Sequence, residues 1–328
     1  MATIKDIAQH AGVSVCTVSR YLNHKITVRR DTQERLEHAI EELGYVPNVV
    51  AQSLKRNSTS NIAVIVPRIN TSYYSDMTGG ISWELAKHGY HLFIFEKDHL
   101  QKSELEILQM MRENMAAGVI FIGMSYDLAF KDTLKYLVDW GIPVVYVNRL
   151  IPYTHYPLLY PDFLKVGELA AGHLIQRGKR RLALVRKGDS GDDPMVQHAA
   201  SFRTATLAAG LPEPVILDTS PGLVTSPSCL DALIDGGIDG VFALNELIAA
   251  GLVKCLSQRG VRIPQDIAVL GFGNSIVGEI TTPELSCVDL QNYELGIHSA
   301  QLIIRQIDGL PIDPVTVLEP SIVQRTST

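Results

Sequence analysis

TIKDIAQHAGVSVCTVSRYL, residues 3–22, is the stretch on which the reading of this chain turns. Thr3 is suited to an N-cap, and Asp6 stands three residues on, where a capping-box partner belongs. Ile4, Ile7, Ala8 and Ala11 then recur on one helical face. Gly12 follows where the chain must turn sharply, and a left-handed backbone costs glycine little. Ser14 is suited to cap a second helix carrying Val15, Cys16, Thr17, Ser19 and Arg20, with Val18 and Leu22 facing back toward Ile7 and Ala11. Two short helices joined by a tight turn, the second free to enter a major groove, make a helix-turn-helix. A plain helical hairpin in an α/β enzyme shows the same local pattern, so the rest of the chain must decide.

Beyond Leu22 the turn Asn23-His24-Lys25 leads to a third helical segment, Asp31 to Leu43. Its Leu36, Ala39, Ile40 and Leu43 close a small three-helix core. Gly44 ends that helix, and Pro47 opens a short segment that reaches Leu54 before an Asn-Ser-Thr-Ser linker. A helix of two turns is marginal in water and needs a partner to form. A leucine closing such a basic helix suits a wedge in the minor groove, although a plain interdomain linker has the same composition.

The runs TIKDIA, AGVS, TVSR and LN, followed by ERL, AIEELGY and PN-A-SL in their spacing, resemble the lactose/galactose repressor (LacI/GalR) family. That resemblance implies a major-groove reading helix and a hinge helix paired with its dimer mate in the minor groove. It assigns base reading to Val15, Cys16 and Arg20 and the wedge to Leu54. Thr3, Ser14, Thr17, Ser19, Asn23, Asn48, Ala51 and Lys55 are the other DNA contacts it implies. Arg20 has the geometry to pair with guanine, and Val15 or Cys16 to meet a thymine methyl. His24 departs from a common family glycine. Arg29 stands where the family has a capping serine, which weakens the third helix's cap by roughly 1 kcal/mol. Cys16 reads as a small filler at the DNA face or as a redox sensor.

From Asn61 the pattern changes. Apolar runs at 62–67, 90–96, 118–123, 142–148, 181–186, 240–244 and 266–272 alternate with helical segments near 75–88, 102–116, 127–140, 162–177, 195–210, 225–236, 245–259 and 292–308. Buried apolar strands separated by helices predict parallel sheets covered on both faces. The pattern wraps twice, with a crossover expected near 150–162, and so predicts two α/β lobes with a cleft between them. The expected fold is an N-terminal all-α helix-turn-helix domain (1–46), a hinge helix and linker (47–60), and a two-lobed, periplasmic-binding-protein-like core (61–328) for effector binding and dimerisation.

Composition agrees. The 328 residues are 46% hydrophobic and 20% charged, as in a folded soluble protein. The net charge of −6 splits into +2 over residues 1–60 and −8 over the remainder, a basic reader on an acidic body. The four cysteines show no metal-ligand spacing, so neither zinc nor a disulfide framework is suggested and no cofactor is expected. The start lacks a signal-peptide apolar run, and no stretch is long enough to span a bilayer, which implies a cytoplasmic protein. The glycine pairs Gly79-Gly80 and Gly271-Phe272-Gly273 lack the full dinucleotide fingerprint. No nucleophilic triad or carboxylate pair has catalytic spacing, so no enzyme is expected.

The body resembles the effector-binding core of the same family through VIVPRINTSYYSDMTGGI, PVVYVNR, FRTATLAAGL, FALNE, IPQDIAVLGF, PELSCV and QRTST. The resemblance places Tyr73, Tyr74, Asn148, Arg149, His198, Asn245, Glu246 and Asn274 at the effector cleft. Tyr73 reads equally as lobe packing, and Asn245 as a helix cap. His198 replaces the arginine, and Asn274 the carboxylate, with which many members hold a sugar, arguing against a simple free sugar in the usual pose. The chain ends without a heptad tail, so a dimer rather than a coiled-coil tetramer is expected. These readings converge on a homodimeric regulator, a repressor by preference, of a pseudo-palindromic operator, controlled by a small-molecule effector. The alternatives are a soluble ligand sensor or carrier of the same two-lobed fold, and an α/β enzyme with a helical accessory domain.

Overall fold

A computed structural model describes residues 2–22, 26–45, 59–69, 71–97, 102–123, 136, 139–148, 156–187, 194–219 and 226–328. The chain divides into two compact units, Met1–Thr59 and Ser60–Thr328. In the first, α1 (Ile4–Ala11), α2 (Val15–Leu22) and α3 (Arg30–Glu42) form a three-helix cluster. Ile7, Ala8, Ala11, Val18, Leu36 and Ala39 are its buried centre, with Leu22, Ile40 and Leu43 partly buried around it. These are the positions that the helical spacing selects.

The second unit holds two lobes. The first contains β1 (Asn61–Val66), α4 (Ser72–Lys87), β2 (His91–Glu96), α5 (Glu104–Glu113), β3 (Gly118–Ile122), β4 (Val144–Val147) and β5 (Leu158–Pro161). The second contains α6 (Phe163–Gln176), β6 (Leu182–Lys187), α7 (Pro194–Ala208), β7 (Val215–Thr219), α8 (Pro227–Asp235), β8 (Gly240–Ala243), α9 (Glu246–Gln258), β9 (Ala268–Phe272), α10 (Ile276–Ile280) and β10 (Ser286–Asp289). The chain then returns to the first lobe for α11 (Asn292–Ile307) and β11 (Val315–Leu318), and crosses once more for β12 (Ser321–Val323).

The sheet orders are β11-β5-β4-β3-β1-β2 and β12-β10-β9-β8-β6-β7. Every described pairing is parallel except β10 with β12, an antiparallel edge that departs from the all-parallel expectation. Period-two alternation sorts β1 between two cores. Ile62, Val64 and Val66 meet Met77, Ile81 and Leu85 of α4 and Ile303 and Ile304 of α11. Ala63 and Ile65 meet Ile107, Leu108 and Met111 of α5. β6 divides likewise, Ala183 and Val185 toward α8 and α9 and Leu182 and Leu184 toward α6 and α7.

The expectation of one crossover near 150–162 needs correction. The lobes are joined at Pro161–Phe163, at Leu290–Asn292 and at Leu318–Ser321. The three strands are tied together. Asp162 N donates to Leu318 O (2.9 Å), and Gln291 Nε2 donates to Glu319 O (2.7 Å). Gln291 itself takes a left-handed conformation, φ 55°, as it caps α11. α11 therefore covers the first lobe although it follows the second in sequence.

Glycines set the closest helix contacts. A Cβ on Gly80 would stand 2.1 Å from Tyr293 O, and one on Gly296 would stand 2.1 Å from Met77 O, so α4 and α11 touch backbone to backbone. Gly79-Gly80 thus serves helix packing. All four cysteines are free thiols, and burial pushes Cys229 up to about 11 and Cys287 up to about 12. Among the described residues, no helix is long and apolar enough to cross a membrane.

Candidate functional site

The first unit presents a reading helix built as its sequence dictates. Thr3 caps α1, with Asp6 N donating to Thr3 Oγ1 (3.4 Å) and Thr3 N donating to Asp6 Oδ2 (2.8 Å). The Thr3 backbone bond holds the Asp6 carboxyl below its usual range. Gly12 turns at φ 63°, ψ 39°, and Val13 N closes on Ala8 O (3.0 Å). Ser14 Oγ accepts from Thr17 N (3.1 Å) and lies 2.8 Å from Thr17 Oγ1, capping α2. Val18 is buried with Ile7 and Leu36, Cys16 and Arg20 are left exposed on the opposite side of α2, and Val15, one turn before Val18, is exposed at the start of the helix. Thr17 and Ser19 are half-buried. Thr3 and Ser14 spend their hydroxyls on caps, which fix the angle at which α2 emerges. Asn23, Asn48, Ala51, Leu54 and Lys55 lie outside the described residues.

Arg29 N-caps α3 with no side-chain cap hydrogen bond, as the missing serine implies. His10, near the end of α1, contacts Glu42 Oε2 through Nε2 (2.8 Å), tying α1 to α3.

In the second unit the cleft-facing residues gather at strand ends. Tyr73 and Tyr74 open α4, ring centroids 5.0 Å apart and edge-on. Tyr73 packs against the cores of both lobes. Its hydroxyl meets Asn148 Nδ2 in a short contact. Asn148, 4% exposed at the end of β4, is left-handed at φ 56°. Among the described residues its Oδ1 is buried without a hydrogen-bond partner, as is Thr71 Oγ1 just before α4. Each such group costs about 1–3 kcal/mol unless something supplies the missing bond. Arg149 lies outside the described residues.

Across the cleft, Asn245 caps α9, its Oδ1 accepting from Leu247 N (2.9 Å) and Ile248 N (3.2 Å). Glu246 is buried; its carboxylate accepts from Ser275 N (3.0 Å), from the Ser275 hydroxyl, and from Ser72 Oγ of the other lobe (3.3 Å). It is an interlobe latch. Asn274 donates to Asp289 Oδ2 (3.2 Å) and accepts from Arg325 Nη2 (2.7 Å). His198 is 2% exposed, its Nδ1 on Phe163 O (2.8 Å) and its ring between Phe163 and Phe272. It is a packed ring of the second lobe's core rather than an exposed group.

Sequence reading missed Ser72, Asp76, Ser275, Asp289 and Arg325. An arginine and a carboxylate do stand beside Asn274, Arg325 in the QRTST tail and Asp289 at the end of β10, bridged by Asn274. The tail signal was visible as a motif, but not its place beside β10, where Ser286 N donates to Ser327 Oγ (2.8 Å). Asp76 has its carboxyl raised above the usual range by burial first, then by Glu246 and Asp289. A cavity of about 290 Å³ in the first lobe is lined by Ile69, Tyr74, Ser75, Thr78, Ile94 and Glu96.

Residues 3–48 match a family described as bacterial regulatory proteins, lacI family, and residues 171–328 match a periplasmic binding protein-like domain. A ribose operon repressor from Halalkalibacterium halodurans is 30% identical over 315 residues, covering 95% of this chain and 92% of its own. The solved complex of the transcriptional regulator CelR with cellobiose is 26% identical, with a TM-score of 0.71 and full coverage of both chains. The Lac repressor bound to ONPG in its repressed state shares the fold, with a TM-score of 0.82 at 21% identity, covering 100% of this chain and 99% of that one.

Proposed function

Because the chain belongs to the lacI family of bacterial regulatory proteins, we propose that this transcriptional repressor binds a pseudo-palindromic operator as a homodimer and releases or grips it in response to a small molecule held between its lobes. The observation that carries the DNA half is α2. Its apolar side is locked against Ile7 and Leu36, Cys16 and Arg20 stand exposed on the side a groove would meet, and Val15 is exposed at the start of the helix. Leu54, with Asn48, Ala51 and Lys55, supplies the hinge contacts. Two copies are needed because one reading helix reaches one half-site. Exposed apolar side chains on the α4 side of the first lobe, Trp83 (59%) and Ile94 (45%), support a self-complementary face. Its place of action is the cytoplasm.

The effector is a polyol of the carbohydrate class. The ribose operon repressor and the cellobiose complex among the relatives support that class. Asn148, with its buried unpartnered Oδ1, supplies an acceptor for an effector hydroxyl. Asn274, flanked by Asp289 and Arg325, offers a carboxylate and a guanidinium in the second lobe. Asp76, Glu246 and Asp289 make this set of described residues acidic, which selects a neutral or cationic polyol over a phosphate ester. Binding across the lobes competes with or completes the Ser72–Glu246 latch, shifts the angle between them, and so changes the spacing of the two hinge segments.

A thermal-shift screen of the full chain across sugars, amino sugars and sugar phosphates tests this half. The reading predicts a stabilising neutral or amino polyol that also changes operator affinity, by roughly 5–150-fold. A hit that stabilises the chain but leaves operator affinity unchanged would argue for a ligand carrier, and steady turnover of a hit would argue for an enzyme.

A further inference from the structure

We propose that His10, His38 and Glu42 form a binding site for a first-row divalent metal ion, zinc in type, on the DNA-reading unit. Two helices contribute. His10 lies in the last turn of α1, and His38 and Glu42 stand one turn apart on α3. Both imidazoles address one carboxylate oxygen, His10 Nε2 at 2.8 Å and His38 Nδ1 at 3.2 Å from Glu42 Oε2. The three ligand atoms all lie within 4.8 Å of one another. Ligand atoms around a tetrahedral zinc ion, each about 2.0–2.2 Å from it, stand roughly 3.3 Å apart. Small side-chain rotations therefore suffice to admit the ion.

The donor set also fits. Two neutral imidazoles and a carboxylate suit zinc, with nickel and copper as competitors, and leave one position for water. All three side chains are exposed, which gives the ion a path in. The helices beneath them are held by the Ile7–Leu36 core, so the ligands come from a framework that does not have to be built by the metal. Occupancy clamps α1 to α3 and favours the folded unit through mass action. The ligands are separated in sequence and include no cysteine, which is why cysteine spacing gave no hint of them.

The test is zinc titration of the tag-free, full-length protein, read by competition with a chromophoric chelator. The wild type should show one site of micromolar affinity or better. His10→Ala and His38→Ala should each weaken it at least tenfold, and Glu42→Gln should weaken it as well. Cys16→Ser should bind like wild type. Zinc should raise the unfolding temperature of the wild type and not that of the His10→Ala/His38→Ala double variant. Unchanged zinc affinity in the double variant, or loss of the site in Cys16→Ser alone, would overturn the proposal.

Discussion

On the proposed reading, Arg20 is the side chain of α2 to which most of the base recognition is assigned. Val15 and Cys16 offer contacts to thymine methyls, whereas Arg20 alone among the three offers two parallel donors to guanine. Arg20→Ala is expected to cost about 1–3 kcal/mol of operator affinity while leaving binding to random duplex nearly intact, as fluorescence anisotropy would show. Arg29 caps α3 without a side-chain bond. Arg29→Ser should add about 1 kcal/mol to the stability of the N-terminal unit in urea unfolding. Asp76 makes the opposite kind of case. Its folded pKa is raised by burial and by Glu246 and Asp289, so its ionised form opposes the folded arrangement above that pKa. The penalty is lifted as pH falls through it. Asp76→Asn should therefore raise the melting temperature modestly at neutral pH, solvent screening keeping the effect small, and the gain should shrink on acidification. The family resemblance, rather than the residues by themselves, singled out Tyr73, Asn148 and Asn274, each just after a recognisable strand. It pointed less well at His198, because burial depends on Phe163 and Phe272, which arrive from other elements.

Helices were legible because their signals are local. The capping pair Thr3–Asp6, the turn at Gly12 and the cap at Ser14 each depend on residues within four positions, and each is formed as read. Strands β5, β7, β10, β11 and β12 escaped notice because they are short, and β7 and β11 are exposed edges with no buried run to announce them. Helix pairing was invisible for a different reason. The approach of α4 to α11 depends on two glycines more than 200 residues apart, and no local pattern connects them. Gly296→Ala drives a methyl into Met77 O and should cost about 1–3 kcal/mol in thermal unfolding. Gly172→Ala is the control. It lies inside α6 with open space around its Cβ, and should stabilise by about 0.5–1 kcal/mol.

Taken whole, the molecule couples two kinds of legibility. The N-terminal fifty-odd residues announce a DNA reader through motif and spacing, and the family match over 3–48 agrees. The two-lobed body was readable as a strand–helix alternation, but its triple crossing was not, since α11 and β11 rejoin a sheet begun some 200 residues earlier. That crossing is what gives the lobes a shared hinge, stitched by Asp162–Leu318 and Gln291–Glu319, and the Ser72–Glu246 latch gives the hinge something to hold. The charge split, +2 on the reader and −8 on the remainder, favours one end of the chain at the phosphate backbone. The most direct measurement is a binding titration of the full-length protein against its own upstream region and against random duplex at physiological salt. Specific binding should be tighter by at least about 10³-fold. Equal affinity for the two duplexes would contradict the account.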